Sequence, residues 1–226
     1  MKYTTLLFDS DDTLLDFARS EKEALKIALG EKGLPFSDEI HACYSRANKS
    51  FWEAYERGEI KKSEIYVGRF SKFLKESGIE ADPEAIAREY EKNLAQQFFI
   101  IDGADTLCQK LLKKYDIYIV TNGNEQIQKS RLIGSGIIKL VKGVFVSEKV
   151  GAPKPEKAYF DYVFANIPEK DKSKILIIGD SQSSDILGGI NAGIDTCWYN
   201  PLGKVGKYKP TYEVKSLNEI KEMLEI

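Results

Sequence analysis

Three aspartates fall within four residues in the run Asp9-Ser10-Asp11-Asp12-Thr13, directly behind an apolar segment. Crowded like charges raise one another's pKa values, so the cluster costs stability unless a cation or a chemical task offsets it. A second acidic pair, Asp180 and Asp185, lies in Gly179-Asp180-Ser181-Gln182-Ser183-Ser184-Asp185. Between the two in sequence come Thr121-Asn122-Gly123 and a lysine held between prolines, Pro153-Lys154-Pro155. Two carboxylate pairs facing one crevice would repel unless a hard divalent cation sat between them. Mg²⁺ prefers such oxygen ligands and usually accompanies a phosphate. Lys154 contributes a compact positive charge, while Thr121 and nearby backbone amides contribute donors, a set suited to the outer oxygens of a phosphoryl group. The pattern reads as an anion clamp built around an acidic metal cup. Three of its members keep a second reading: Lys154 as a solvated loop lysine, Asp185 as a cap of the following helix, and Asn122 as a residue that only fixes its loop.

These residues need a frame that brings them together. Tyr3 to Phe8 is a compact run rich in β-formers, and similar runs recur at 117–120, 144–146, 175–178 and 196–199. Helical patterns alternate with them at 104–114, 126–135, 156–165 and 184–192, with Gly136 and Gly193 as stops, and a last helix opens at Ser216 with Glu219 three residues on. Alternating elements with near-continuous hydrophobic strands predict a parallel sheet covered by helices on both faces. In such a sheet ligands bind beyond the carboxyl ends of the strands, where the four polar groups fall.

One stretch breaks the alternation. Residues 17–98 carry no convincing strand, only helix signals: Ser37-Asp38-Glu39, Ser63-Glu64, Asp82-Pro83-Glu84, and Gly78 as a C-cap. The expected organisation is an α/β core from residues 1–16 and 100–226 with a helical domain at 17–99, joined by short hinges near 15–19 and 96–103.

Composition narrows the function. Lys and Arg number 33 against 35 Asp and Glu, so a net charge of -2 gives no reason to expect a nucleic-acid polymer or an anionic membrane as partner. No apolar run approaches the roughly 20 residues of a membrane span, and no signal-peptide core follows Met1, so a cytoplasmic location is expected. Cys43, Cys108 and Cys197 are widely spaced and read as reduced, mostly buried thiols. His41, the only histidine, reads as a surface side chain.

Taken together, Asp9-Ser10-Asp11-Asp12-Thr13-Leu14, Thr121-Asn122, Lys154 and the pair Asp180/Asp185 resemble, in order, the four motifs of the haloacid dehalogenase superfamily. The helical insertion resembles the cap of the subgroup whose cap follows motif one. The resemblance implies a Rossmann-like doubly wound core and an inserted all-helical cap. It further implies Asp9 as nucleophile, Asp11 as general acid and base, and Thr121, Asn122 and Lys154 as holders of the phosphoryl oxygens. Mg²⁺ would be bound by the Asp9 carboxylate, the Asp11 carbonyl and Asp180, with Asp185 as an outer ligand. Displacement of a halide needs neither an acid for an alkoxide nor a metal, so Asp11 with Asp180 favours phosphoryl transfer. Asp12 stands where the family most often has Gly, and reads as a turn residue that tolerates an unusual backbone conformation.

The segment Asn48 to Ile60 with Gly68-Arg69-Phe70 resembles the cap of a bacterial branch that hydrolyses pyrimidine nucleoside 5'-monophosphates. That implies a Mg²⁺-dependent 5'-nucleotidase whose partner is a small phosphomonoester, a nucleoside monophosphate. Phe17, Trp52 and Arg69 are candidates for reading the substrate, with packing in the cap as the competing role for the two aromatics. A sugar-phosphate phosphatase or a phosphomutase would share every core residue. A phospho-accepting receiver would lack both Asp11 and the insertion. Oligomeric state is not legible.

Overall fold

The computed structural model describes residues 2–225. Two compact units divide the chain, residues 1–17 with 98–226 and residues 18–97.

The first unit is built on a parallel sheet. Its strands are β1 (Thr5–Phe8), β2 (Asp116–Thr121), β3 (Gly143–Val146), β4 (Ile175–Gly179), β5 (Asp195–Tyr199) and β6 (Tyr212–Val214). They lie in the order β3-β2-β1-β4-β5-β6, all parallel, with β1 central. Phe8 is in register with Ile119 of β2 and Ile178 of β4, so the loops after these strands open at one edge.

Both faces of the sheet are buried, which is why the strands read as unbroken apolar runs. Leu6, Phe8, Ile117, Ile119, Leu176 and Ile178 point to one side, where Leu107 and Leu111 of α5 (Ala104–Leu111) and Ile220 of α10 (Leu217–Met223) meet them. Leu7, Tyr118, Val120, Ile175 and Ile177 point to the other, against Tyr159, Phe160 and Val163 of α8 (Lys157–Ala165). Burying each such side chain contributes about 1.5–3 kcal/mol. The expected doubly wound core is therefore present. β6 lies outside the sequence expectation, because Tyr212-Glu213-Val214 offers three residues with a charge in the middle. Two helices complete the α6 to α9 set around the site: α7 (Ser147–Val150) and α9 (Leu187–Ala192), the latter entered through a π-helical turn at Gln182–Ile186. The remaining one, α6 (Glu125–Gly134), is capped by the Asn124 side chain.

The second unit is all-helical: most of α1 (Phe17–Gly30), then α2 (Asp38–Glu56), α3 (Lys62–Ser77) and α4 (Pro83–Leu94). Ser37 caps α2 through Ile40 N, Asp82 caps α4 ahead of Pro83, and Gly78 closes α3 in the left-handed conformation at φ 69°. Ser63 does not start a helix. The Glu64 carboxylate accepts the Lys61 N–H at 2.7 Å, which moves the start of α3 to Lys62 and leaves Ser63 in its first turn. Gly68 lets α3 approach α2 closely, since a Cβ there would lie 2.4 Å from the Phe51 ring. Tyr44, Phe70, Phe73 and Tyr90 form the aromatic centre of this unit. Beside it runs a buried polar chain in which Asn48 bonds Glu21 at 2.7 Å and Arg69 bonds Asn48 at 2.9 Å. His41, expected at the surface, is instead partly buried against Glu21 and Ser45. Among the described residues no helix is long and apolar enough to cross a membrane.

Candidate active site

At the carboxyl edge of the sheet, β1 runs straight into the acidic loop. Asp9 N–H still donates to Ile178 O at 2.9 Å, as a continuation of the ladder, and then the chain folds over itself. Leu14 and Leu15 both donate to Ser10 O, and Asp12 N–H donates to Leu15 O at 2.7 Å. This turn forces Asp12 to φ 54°, the left-handed region that Gly and Asp tolerate best. The Asp12 carboxylate accepts the Phe17 N–H at 3.1 Å, which makes Asp12 the turn residue expected. Two further bonds, Asp16 N–H to Phe99 O and Ile101 N–H to Leu14 O, tie the outgoing and returning segments side by side.

The lysine loop is fixed by an amide pair. Asn122 donates from Nδ2 to Lys154 O at 2.8 Å and accepts Lys154 N–H on Oδ1 at 2.9 Å. Both ends of the Asn122 side-chain amide are thus engaged by the main chain of Lys154. Lys154, 1% exposed, extends Nζ to Asp9 Oδ1 at 2.6 Å, Asp185 Oδ1 at 2.6 Å and Val120 O at 2.8 Å. Burial works against its charge, but Asp185 and Asp9 outweigh that and hold it above the ordinary lysine range. Thr121 ends β2 with a buried hydroxyl that accepts the Gly123 N–H at 3.0 Å, leaving its proton to donate.

Asp185 is fully buried and does not cap α9. Its Oδ1 takes Lys154, its Oδ2 accepts Ser181 N–H at 3.1 Å, and the cap of this turn is the Ser181 hydroxyl. Gly179 is required here because a Cβ would lie 2.2 Å from Asp185 Oδ2. Asp9, Asp180 and Asp185 each offer an oxygen within 4.8 Å of the others, an all-oxygen donor set that could hold a hard metal ion. The carboxyl groups register the crowding. Burial pushes Asp9 up to about 8, with Lys154 opposing and Asp185 and Asp11 adding. Burial, then Asp9 and Asp185, carry Asp180 well above the usual carboxylate range.

Asp11 stands apart from this cluster. Gln128 Nε2 donates to its Oδ2 at 2.5 Å and Arg131 Nη1 donates to its Oδ1. Neither residue was expected from the sequence. The available signal was polar residues at Gln128 and Arg131 on the same helical stripe as Ile127 and Leu132, all four of which are buried.

The three candidate substrate readers fall in different places. Phe17 lies under the Arg131 guanidinium, 5.7 Å from its ring centre. Trp52 is half-buried beside Tyr55, with Lys62 Nζ 5.9 Å over its ring. Arg69 is buried inside the helical unit, bonded to Asn48 and stacked on the Phe70 and Tyr90 rings, so its guanidinium belongs to that unit's packing.

A doubly wound sheet that gathers paired carboxylates, a hydroxyl and a buried lysine at one edge is the frame of a hydrolase that works on phosphoryl groups. The chain matches the family described as haloacid dehalogenase-like hydrolase over residues 6–199, and it belongs to that family as a phosphatase. It is 40% identical to the pyrimidine 5'-nucleotidase PynA of Streptococcus pneumoniae over 100% of this chain and 96% of that one. It is 32% identical to the pyrimidine 5'-nucleotidase YjjG of Escherichia coli over 99% of both. The magnesium-bound crystal structure of the HAD-hydrolase YfnB from Bacillus subtilis superposes with a TM-score of 0.95 at 43% identity, covering 100% of both chains.

Proposed function

We propose that this phosphatase is a Mg²⁺-dependent 5'-nucleotidase that hydrolyses pyrimidine ribo- and deoxyribonucleoside monophosphates through an aspartyl phosphate. The observation that carries the reading is the end-to-end likeness to PynA, at 40% identity, together with an intact set of Asp9, Asp11, Thr121, Lys154, Asp180 and Asp185.

The chemistry assigned to the residues runs in two steps. A carboxylate oxygen of Asp9 attacks phosphorus while the bond to the nucleoside 5'-oxygen breaks, and the departing oxygen takes the proton of the Asp11 carboxyl. Water then attacks the aspartyl phosphate, giving its proton to the Asp11 carboxylate as the bond to Asp9 breaks. Phosphate leaves and Asp9 returns to its starting form. Lys154 and the Thr121 hydroxyl neutralise and orient the transferring oxygens. Asp9, Asp180 and the Asp11 carbonyl would hold Mg²⁺, with Asp185, whose two oxygens are engaged by Lys154 and Ser181, acting from behind. Mg²⁺, when bound, supplies charge neutralisation for the crowded acids and for the phosphoryl oxygens. Base selectivity we assign to residues of the helical unit, with Trp52 the first to test.

A phosphate-release screen over nucleoside monophosphates and sugar phosphates, with Mg²⁺ or EDTA, tests this reading. UMP, dUMP and dTMP should exceed sugar phosphates, and both EDTA and Asp9→Asn should abolish turnover. Sugar phosphates turned over as well as nucleotides would end the nucleotidase assignment, and full activity in Asp9→Asn would end the mechanism.

A further inference from the structure

Helix α6 delivers two side chains to one carboxylate. Gln128 and Arg131 are three residues apart, so they share a face, and their donors meet the two oxygens of Asp11 separately: Gln128 Nε2 on Oδ2 at 2.5 Å, Arg131 on Oδ1. Both residues are buried, Gln128 at 2% and Arg131 at 0% exposure, while the Asp11 side chain keeps 27% of its surface. Each is itself braced. Ser10, fully buried between the two aspartates, donates its hydroxyl to Gln128 Oε1 at 2.8 Å. That bond fixes the sense of the amide, because with Oε1 occupied by a donor it is Nε2 that faces Asp11. Gly123 provides the floor: a Cβ there would lie 2.5 Å from Gln128 Nε2 and 2.7 Å from its Cγ. The Arg131 guanidinium carbon sits 5.7 Å from the centre of the Phe17 ring.

We propose that Gln128 and Arg131, with Ser10 setting the orientation of Gln128, are positioning residues that hold the Asp11 carboxyl where it exchanges a proton with the departing oxygen of the substrate. The inference rests on the reading of Asp11 as acid and base given above. A buried arginine and a buried glutamine converging on one partly buried carboxylate are more than helix packing needs. An apolar pair would fill the same space without leaving donors to satisfy. Fixing both oxygens restricts rotation about the Asp11 side-chain bonds, so the exposed part of the carboxyl presents itself in a single orientation. General acid–base help is worth about 10²- to 10⁴-fold, and a misplacement of about 1 Å forfeits much of it.

The test compares two phosphate esters in Gln128→Met, Arg131→Lys and Ser10→Ala. UMP loses a ribose 5'-alkoxide, which needs a proton to depart; p-nitrophenyl phosphate loses a stable phenolate, which does not. With UMP, the Gln128→Met and Arg131→Lys variants should fall about 10- to 100-fold in kcat with KM within about threefold, and Ser10→Ala should fall less. With p-nitrophenyl phosphate the first turnover should remain near the wild-type rate, a burst of one nitrophenolate per enzyme, before a slowed steady state set by the water step. Melting temperatures identify any variant that has lost its fold, and the three side chains are independent routes to the same result. Equal losses on both esters in the first turnover, or UMP turnover unchanged, would overturn the proposal. Wild-type protein that releases phosphate from neither ester would overturn the phosphatase mechanism itself, which separates the two failures.

Discussion

Replacing Lys154 by methionine keeps the length of the side chain and removes its charge. In the native protein that charge lies 2.6 Å from both Asp9 and Asp185, with 1% exposure. Breaking a buried ion pair by deleting one partner costs about 3–5 kcal/mol, because the charge left behind has no partner and no water. Lys154→Met should therefore lose about 3–5 kcal/mol at pH 7 in the metal-free protein. Asp9 adds little to that loss, since its carboxyl, at about 8, already holds a proton at pH 7. In a chain of this size about 3–5 kcal/mol appears as roughly 6–20 °C in Tm. The assay is urea or thermal unfolding of both proteins in EDTA at pH 7. A loss under about 1 kcal/mol would refute the reasoning.

Four further outcomes follow from the same geometry. Asp9 has a folded value raised to about 8 from 3.8, so the folded state holds a proton that the unfolded chain releases, and metal-free stability should fall as pH rises from about 4 through about 8. Mg²⁺ at a hundredfold excess over its Kd should return about 2.7 kcal/mol, roughly 5–10 °C. At one fixed Mg²⁺ concentration that gain should be larger at pH 8 than at pH 6, where protons compete; an equal rise in Tm at both pH values speaks against carboxylate ligands. At Asp12, with φ 54°, Asp12→Ala should cost about 1–2 kcal/mol from backbone strain and the lost Phe17 bond, whereas Asp12→Gly recovers the strain and stays within about 1 kcal/mol of wild type. Chemical denaturation that finds Gly no better than Ala at this position contradicts the strain assignment. Burial pushes the Cys108 and Cys197 thiols up to about 12, so at pH 8 their thiolate fraction is about one in ten thousand. The native protein should give at most one rapid thiol equivalent with an aromatic disulfide reagent and three in urea.

The parts of this site that could be read in advance share a property: each is announced by residues next to it in sequence. Asp9 follows the strand that carries it, and Asp180 does the same after β4. The central strands were legible because burial on both faces forbids polar alternation, while β6 was not, since its pairing with β5 is a fact of register that three residues cannot declare. The acid–base carboxylate is different. Its partners Gln128 and Arg131 lie 117 and 120 residues away, on a helix that reads as an ordinary amphipathic segment ending at Gly136. What betrays them is placement. Ile127, Gln128, Arg131 and Leu132 form one buried stripe, and a stripe that buries an arginine must meet an acid somewhere in the fold. The same holds for Asn122, whose amide pairs with both the N–H and the C=O of Lys154 and so ties a separate loop to the site. Lys154 itself was legible as a cation but not as a shared one. Its two bonds to Asp9 and Asp185 mean that the nucleophile and the rear carboxylate are set by one side chain, so any change at Gly179 that moves Asp185, whose Oδ2 is 2.2 Å from a Cβ placed there, is felt at Asp9 through Lys154.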